Sequence, residues 1–336
     1  MAYTWFAPAS PRDDPGAMNG PPAPIVVALG GNAISPVGEE GNIAQQFRHT
    51  RQSARGLIGL FRGAAPLVIT HGNGPQVGHA IRRVELSEHE VYPLDLGICV
   101  ADVQGGMGYM IAQCLMNVLR QNGINVRISA IVSSVEVNRN DPALANPTKP
   151  IGSLLSREKA EQFQREYGWD MIQVRDLGYR RVVPSPMPQA IVEIDLIRKM
   201  VEASEYLVAV GGGGIPVYRD EQGNLEGLEA VIDKDLASGL LASGIGAQVL
   251  IIVTAVQKVC VDFGKPTQRT LDRLSIADAR RLLREGQFPP GSMGPKIQAA
   301  INFLQASKRD DARVVICHLD QISDALAGRA GTTLTK

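Results

Sequence analysis

The chain has 336 residues, of which 44% are hydrophobic, 20% charged and 5% aromatic. That composition fits one large globular domain or two modest ones and excludes fibrous and wholly disordered chains. Its 34 basic and 34 acidic side chains balance to a formal charge of zero, which excludes a molecule-wide positive field for nucleic acid or anionic lipid, so any anion site must be local.

Residues 1–24 carry Pro8, Pro11, Pro15, Pro21, Pro22 and Pro24 among scattered polar residues, can bury little, and read as a disordered extension. With no basic residue before Arg12 and no sustained apolar run, this segment does not read as a secretory signal. From Ile25 the pattern changes. Residues 25–29 form an apolar strand-like run, and residues 42–61 place Ile43, Phe47, Ala54, Leu57, Ile58 and Phe61 at helical spacing. The alternation continues with strand 67–70 and helix 74–85, helix 101–121 and strand 126–132, then strand 206–210, helix 233–242 and strand 249–254. Helices 276–284 and 295–306 and strand 313–317 close it. Residues 135–188 interrupt the pattern with Pro142, Pro147, Pro150, Pro184, Pro186 and Pro188 around a helical piece at 156–167, and read as an inserted lobe or lid. No internal repeat is visible. Short β runs alternating with amphipathic helices predict an α/β sandwich around a mostly parallel sheet, with ligands at the carboxyl ends of its strands.

The longest apolar stretch, 249–256, is far below the ~20 residues that cross a bilayer. Cys99, Cys114, Cys260 and Cys317 are widely spaced, without a CxxC pair, and read as buried free thiols rather than a disulfide or zinc framework. Both observations point to the cytoplasm and away from a membrane partner.

Four glycine-rich turns punctuate the pattern: Gly30-Gly31-Asn32, His71 to Gln76, Gly211 to Gly214, and Pro289 to Lys296. Three directly follow expected strands, so a parallel sheet would gather them at one edge, where backbone N–H groups and helix N-termini attract anions. No Walker GxxxxGK[ST] occurs, and Gly212-x-Gly214 lacks the third glycine of a dinucleotide fingerprint. Positive charge for a phosphate must therefore come from elsewhere. The chain uses 25 Arg but only 9 Lys, none before Lys149, so lysine positions are informative. Lys149 lies on the lobe, Lys234 sits between Asp233 and Asp235 at a helix start, and Lys296 follows the fourth turn. Lysine is a compact point charge suited to phosphoryl oxygens, and phosphoryl transfer needs alignment and neutralisation more than covalent help. Asp235 would keep Lys234 protonated, or serve as an ordinary first-turn acid. His71 reads as a strand-end hydrogen-bonding residue rather than a general base, because no nucleophile spacing supports it.

The ordered set VVALGGNAI, THGNGPQVG, NPTKPIG, VVPSPMP, GGGGIPV, VIDKDLAS and PGSMGPK, spanning residues 25–336, resembles the carbamate kinases of the amino-acid kinase superfamily. The resemblance implies a three-layer α/β/α fold with a protruding lobe, a homodimer, and reversible phosphoryl transfer between ATP and carbamate with Mg2+, giving carbamoyl phosphate and ADP. It also implies ATP formation in arginine deiminase-type catabolism. Carried over, Gly30, Gly31 and Asn32 would hold the transferring phosphoryl group, and Gly72, Asn73 and Gly74 would complete the acceptor pocket. Lys149 would neutralise the carbamate side. Lys234 and Lys296 would bind the nucleotide phosphates, with Asp235 organising them, and Gly212, Gly213, Gly214, Val256 and Met293 would lie along the ATP site. Magnesium would arrive with the phosphates, without a dedicated protein cage. The chain departs from the family where Thr254-Ala255-Val256-Gln257 replaces a common Thr-Gly-Val-Asp or Thr-Asp-Val-Asp, and Lys258 an uncharged residue. Those departures keep open a non-catalytic nucleotide or carbamoyl-phosphate sensor, beside a kinase of a larger carboxylate such as an acetylated amino acid or aspartate.

Overall fold

The computed structural model describes residues 22–36, 39–87 and 89–336. The expected extension therefore lies, up to residue 21, outside the described residues, as does the side chain of Asn32. Eight strands build the main sheet: β1 (Ile25–Leu29), β2 (Leu67–His71), β3 (Ile128–Ala130), β4 (Tyr206–Val208), β5 (Val249–Val253), β6 (Arg273–Ser275), β7 (Arg313–Cys317) and β8 (Thr332–Thr335). The helices are α1 (Ile43–Phe61), α2 (Gly74–Ser87), α3 (Leu96–Gln121), α4 (Arg157–Tyr167), α5 (Ile194–Glu202), α6 (Lys234–Gly244), α7 (Ile276–Arg284), α8 (Met293–Ala306) and α9 (Ile322–Leu326).

The sheet order is β6-β8-β7-β5-β1-β2-β4-β3. Every neighbouring pair is parallel except β7 with β8. The central strands are Val/Ile/Leu runs because both of their faces are covered. Alternate residues feed opposite cores: Val26, Val68, Leu250 and Val314 pack with α6 and α8, whereas Val27, Ile69, Ile251 and Val315 pack with α1 and α3. Three layers follow directly from that period of two.

Registers place the strand ends level. Ile25 to Leu29 pair one-to-one with Leu67 to His71, and Ile25 to Ala28 with Val249 to Ile252. The expected strand over 206–210 stops at Val208, because Val210 adopts φ 53°, a left-handed conformation uncommon for a β-branched residue. The chain leaves the sheet there and enters the third glycine turn.

The interruption at 135–188 resolves into two parts. Strands Lys149–Leu155, Tyr179–Val183 and Asp170–Gln173 form a three-stranded sheet with α4 against it. Leu155, Ala160 and Phe163 give this lobe its own small core, with Trp169, Met171 and Tyr179 packed on it. Ser134–Val137 and Pro188–Ile191, by contrast, pair with each other in a four-stranded sheet that also contains Ile215–Arg219 and Leu225–Gly227. The lobe with its own core is thus narrower than the sequence pattern outlines.

Cys99, Cys114 and Cys317 are buried free thiols as expected, but Cys260 is only partly buried. It borders the large cleft described next. Among the described residues no helix is long and apolar enough to cross a membrane.

Candidate active site

β1, β2 and β4 are neighbours, so their carboxyl ends bring the first three glycine turns side by side. The reason for glycine differs from turn to turn. A Cβ on Gly30 would sit 3.2 Å from the Val253 carbonyl oxygen, and one on Gly72 would sit 3.1 Å from the Gly31 nitrogen and 3.4 Å from Lys234 Cδ. These are close approaches rather than special dihedrals. Gly72 is thereby the contact point between the β1 turn, the β2 turn and Lys234.

The lysines converge through two aspartates. Asp233 caps α6 by accepting the Asp235 N–H at 2.9 Å with Oδ1, and its Oδ2 accepts from Lys149 Nζ at 3.0 Å. Asp235 Oδ1 accepts from Lys234 Nζ, and Oδ2 accepts from Lys296 Nζ at 2.7 Å. Lys296 comes from the first turn of α8, and α8 can lie against α6 because position 239 is glycine: a Cβ there would meet the Ala299 carbonyl oxygen at 2.9 Å. The side chains of Lys234, Asp235 and Lys296 are 12%, 5% and 14% exposed, against 40% for Lys149.

Burial alone would raise the Asp235 carboxyl pKa, but the attraction of Lys234 and Lys296 outweighs it and holds the group at about 2. Burial pushes Lys234 below the usual lysine range, against the pull of Asp235, and the like charge of Lys296 adds to the lowering. His71 is 1% exposed, and burial drops its imidazole to about 4, so it is neutral at physiological pH. A Cβ on Gly211 would sit 2.4 Å from His71 Nε2, so the ring is packed against that turn, consistent with a strand-end residue.

A cleft of about 860 Å³ opens beside the lysine pair. Gly30, Gly31, Lys234, Lys296, Val256 and Met293 border it. Thr254 and Ala255 do too, whereas Gln257 does not. Lys258 reaches the border with its ammonium paired to Asp272.

Gly212, Gly213 and Gly214 do not border this cleft. Tertiary packing sets their place: a Cβ on Gly212 would lie 1.9 Å from Asn73 Nδ2, one on Gly213 2.5 Å from the Ile232 oxygen, and one on Gly214 2.3 Å from Val135 Cγ2. Gly212 backs onto Asn73, which follows β2, while Gly213 and Gly214 pack elsewhere. Among the described residues, Asn73 Nδ2 is a buried donor without a hydrogen-bond partner, a state that a bound oxygen acceptor would relieve. Gly74 opens α2, and a Cβ there would meet nothing within 4 Å.

Asp233 joins this charged network through Lys149, a contact the sequence does not announce. Its visible signal was an aspartate directly before a helix start; its second role, holding the lobe lysine, has no local signature. Among the described residues no three His, Cys, Asp or Glu side chains are grouped to hold a metal.

Residues 23–318 match the model of the amino acid kinase family. The chain is 40% identical to the carbamate kinase of Thermococcus kodakarensis over 93% of its own length and 99% of that protein. It is 42% identical to the carbamate kinase-like protein YahI of Escherichia coli, covering 93% of this chain and 98% of the relative. Among solved structures, the carbamate kinase from Giardia lamblia bound to AMP-PNP superposes with a TM-score of 0.88 at 34% identity, covering 94% of this chain and 98% of that one.

Proposed function

Because the chain belongs to the amino acid kinase family and carbamate kinases match it over more than nine-tenths of its length, we propose that it transfers a phosphoryl group reversibly between ATP and carbamate. The observation that carries the site assignment is the convergence of Lys149, Lys234 and Lys296 on Asp233 and Asp235 at the ends of neighbouring strands.

In this reading the nucleotide lies in the large cleft beside Val256 and Met293, its phosphates toward Lys234 and Lys296. The backbone of Gly30, Gly31 and Asn32 faces the transferring group. Gly72, Asn73 and Gly74 form the acceptor pocket, where Asn73 Nδ2 supplies a donor left unpaired among the described residues. Gly212 packs against Asn73 so closely that a Cβ there would clash with its side-chain amide, which fixes that amide in place. Lys149 comes in from the lobe.

Toward ATP, a β-phosphate oxygen of ADP forms the new P–O bond while the bond between phosphorus and the carbamoyl oxygen breaks, and carbamate leaves as an anion. No proton moves, so no general base is required, in keeping with a neutral, buried His71. Catalysis rests on alignment and on cations placed where charge gathers. Asp235 fixes two of those cations in direction without neutralising both.

Magnesium suits this site as a companion of the nucleotide. The carboxylate nearest the phosphates, Asp235, is already shared by two ammonium groups, so the phosphates would supply the metal's ligands. Bound there, the ion would draw charge from the phosphate oxygens. The proposal extends to a cytoplasmic homodimer that makes ATP during arginine catabolism. On α3, Ile98, Asp102, Gly105 and Tyr109 form an exposed stripe at helical spacing suited to a second copy.

The test is a coupled assay of ATP formation from ADP and carbamoyl phosphate with magnesium, run beside acetylglutamate and aspartate as alternative acceptors in the reverse direction. Turnover on the order of 1–10³ s⁻¹ with the carbamoyl substrate alone is expected. No turnover at millimolar concentrations, or preference for a larger acid, would overturn the reading.

A further inference from the structure

A second, smaller pocket lies at the opposite edge of the sheet from β3, and nothing in the proposed reaction uses it. Its volume is about 230 Å³, and its border includes Lys258, Arg273, Arg313 and Arg329 with one carboxylate, Asp272. The pleat accounts for the clustering. On β8, Thr333 and Thr335 point to the same sheet face; Arg273 of β6 pairs beside Thr333, and Arg313 of β7 pairs with Thr335. Two arginines and two hydroxyls are thereby set on one face at the sheet edge. Arg329 closes the rim from the turn between α9 and β8, and Lys258 approaches from the segment after β5.

Four cations face one carboxylate, and their partners are few. Arg273 pairs through its backbone with β8, but its side chain makes no hydrogen bond or ion pair among the described residues. Arg313 donates to the Leu326 carbonyl oxygen at 3.2 Å, which leaves its charge uncompensated by any acid. Arg329 is paired with Asp324, which does not border the pocket, and Lys258 with Asp272. An excess of cationic donors converging from three sides suits a tetrahedral oxyanion better than a planar carboxylate.

We propose that this pocket binds a small phosphate-type anion, a site separate from the nucleotide cleft. Its volume of about 230 Å³ admits inorganic phosphate or pyrophosphate. The pocket and the cleft share one side chain, Lys258, the residue whose charge departs from the family pattern. The backbone beside it is tied to the same strand: Thr332 Oγ1 accepts the Val259 N–H at 2.9 Å and donates to the Leu271 carbonyl. An occupant that draws Lys258 toward the arginines would be felt at the cleft border through that shared side chain. Only this coupling rests on the nucleotide reading; the anion site itself does not.

Calorimetry on the full-length protein, saturated with a non-hydrolysable ATP analogue so that the catalytic cleft is occupied, tests the site without measuring activity. Titrated pyrophosphate, and separately inorganic phosphate, is expected to bind at one equivalent. Loss of one charge-assisted contact in Arg273→Gln, and independently in the exposed Arg329→Gln, should weaken binding by about tenfold. Absence of binding to the nucleotide-saturated protein, unchanged affinity in both variants, or equally tight binding of succinate would overturn the proposal.

Discussion

Lys234 and Lys149 are the same kind of residue within one charged network, yet they are held in opposite ways. Lys234 opens a helix packed on the central sheet, is almost buried, and shares Asp235 with Lys296. Lys149 opens a strand of the lobe, is well exposed, and meets the body through one bond to Asp233. The lobe has further ties: Arg181 Nη2 donates to Glu229 at 2.8 Å, the same carboxylate accepts the Leu96 N–H at the start of α3, and Gly78 and Gly152 touch closely. The contrast teaches that the groups assigned to the nucleotide are built into the scaffold, whereas the group assigned to the small acid rides on a part with its own core.

Asp235→Asn should widen that contrast most. It strands two buried ammonium groups, and breaking a buried charge pair costs about 3–5 kcal/mol. The expected result is a markedly lower urea midpoint together with turnover near background. A midpoint within about 1 kcal/mol of the parent would mean that the body lysines are held no more firmly than an exposed pair.

Lys149→Ala comes next. Turnover should fall by about 10²–10³, the range for removing one positioned donor to the transition state, while affinity for ADP and the urea midpoint stay close to those of the parent. Equal losses in turnover and ADP affinity would move Lys149 to the nucleotide side and dissolve the contrast.

The smallest effect is on acid stability. Asp235 titrates at about 2 in the folded protein against 3.8 ordinarily. Since the folded value is the lower one, its stabilisation is complete above about pH 4 and is lost as pH falls toward 2, amounting to roughly 2 kcal/mol. Urea midpoints between pH 5 and 2 should show this step in the parent and in Lys149→Ala, and lack it in Asp235→Asn. A step missing from Lys149→Ala as well would tie the two halves of the network together.

Much of the fold was legible where local pattern and tertiary role agree. β1, β2, β5 and β7 are buried on both faces and so read as apolar runs, and α7 occupies the residues its periodicity predicts. The short strands at one end of the sheet carry no such signal: β6, at the edge, and β8 beside it are three and four residues long, with arginine, serine and threonine on the positions that are not buried. The pairing of Ser134–Val137 with Pro188–Ile191 was illegible for a different reason, since it joins segments separated by the whole lobe. The lysines and glycine turns of the site could be named from sequence because their residue types are chemically restrictive. The lysine-holding role of Asp233 could not, because its partner lies 84 positions away. Which side of the lysines Gly212 to Gly214 occupy depended on the packing of Asn73, again a non-local fact.

Val210 carries one more consequence. A β-branched residue at φ 53° stores roughly 1–3 kcal/mol of conformational strain, and glycine would occupy the same joint at ease. The more awkward residue also narrows the conformations open to the chain where it enters the glycine turn. In the acceptor pocket proposed above, a stiff turn would add selectivity for an acid that offers only three heavy atoms besides its carbon.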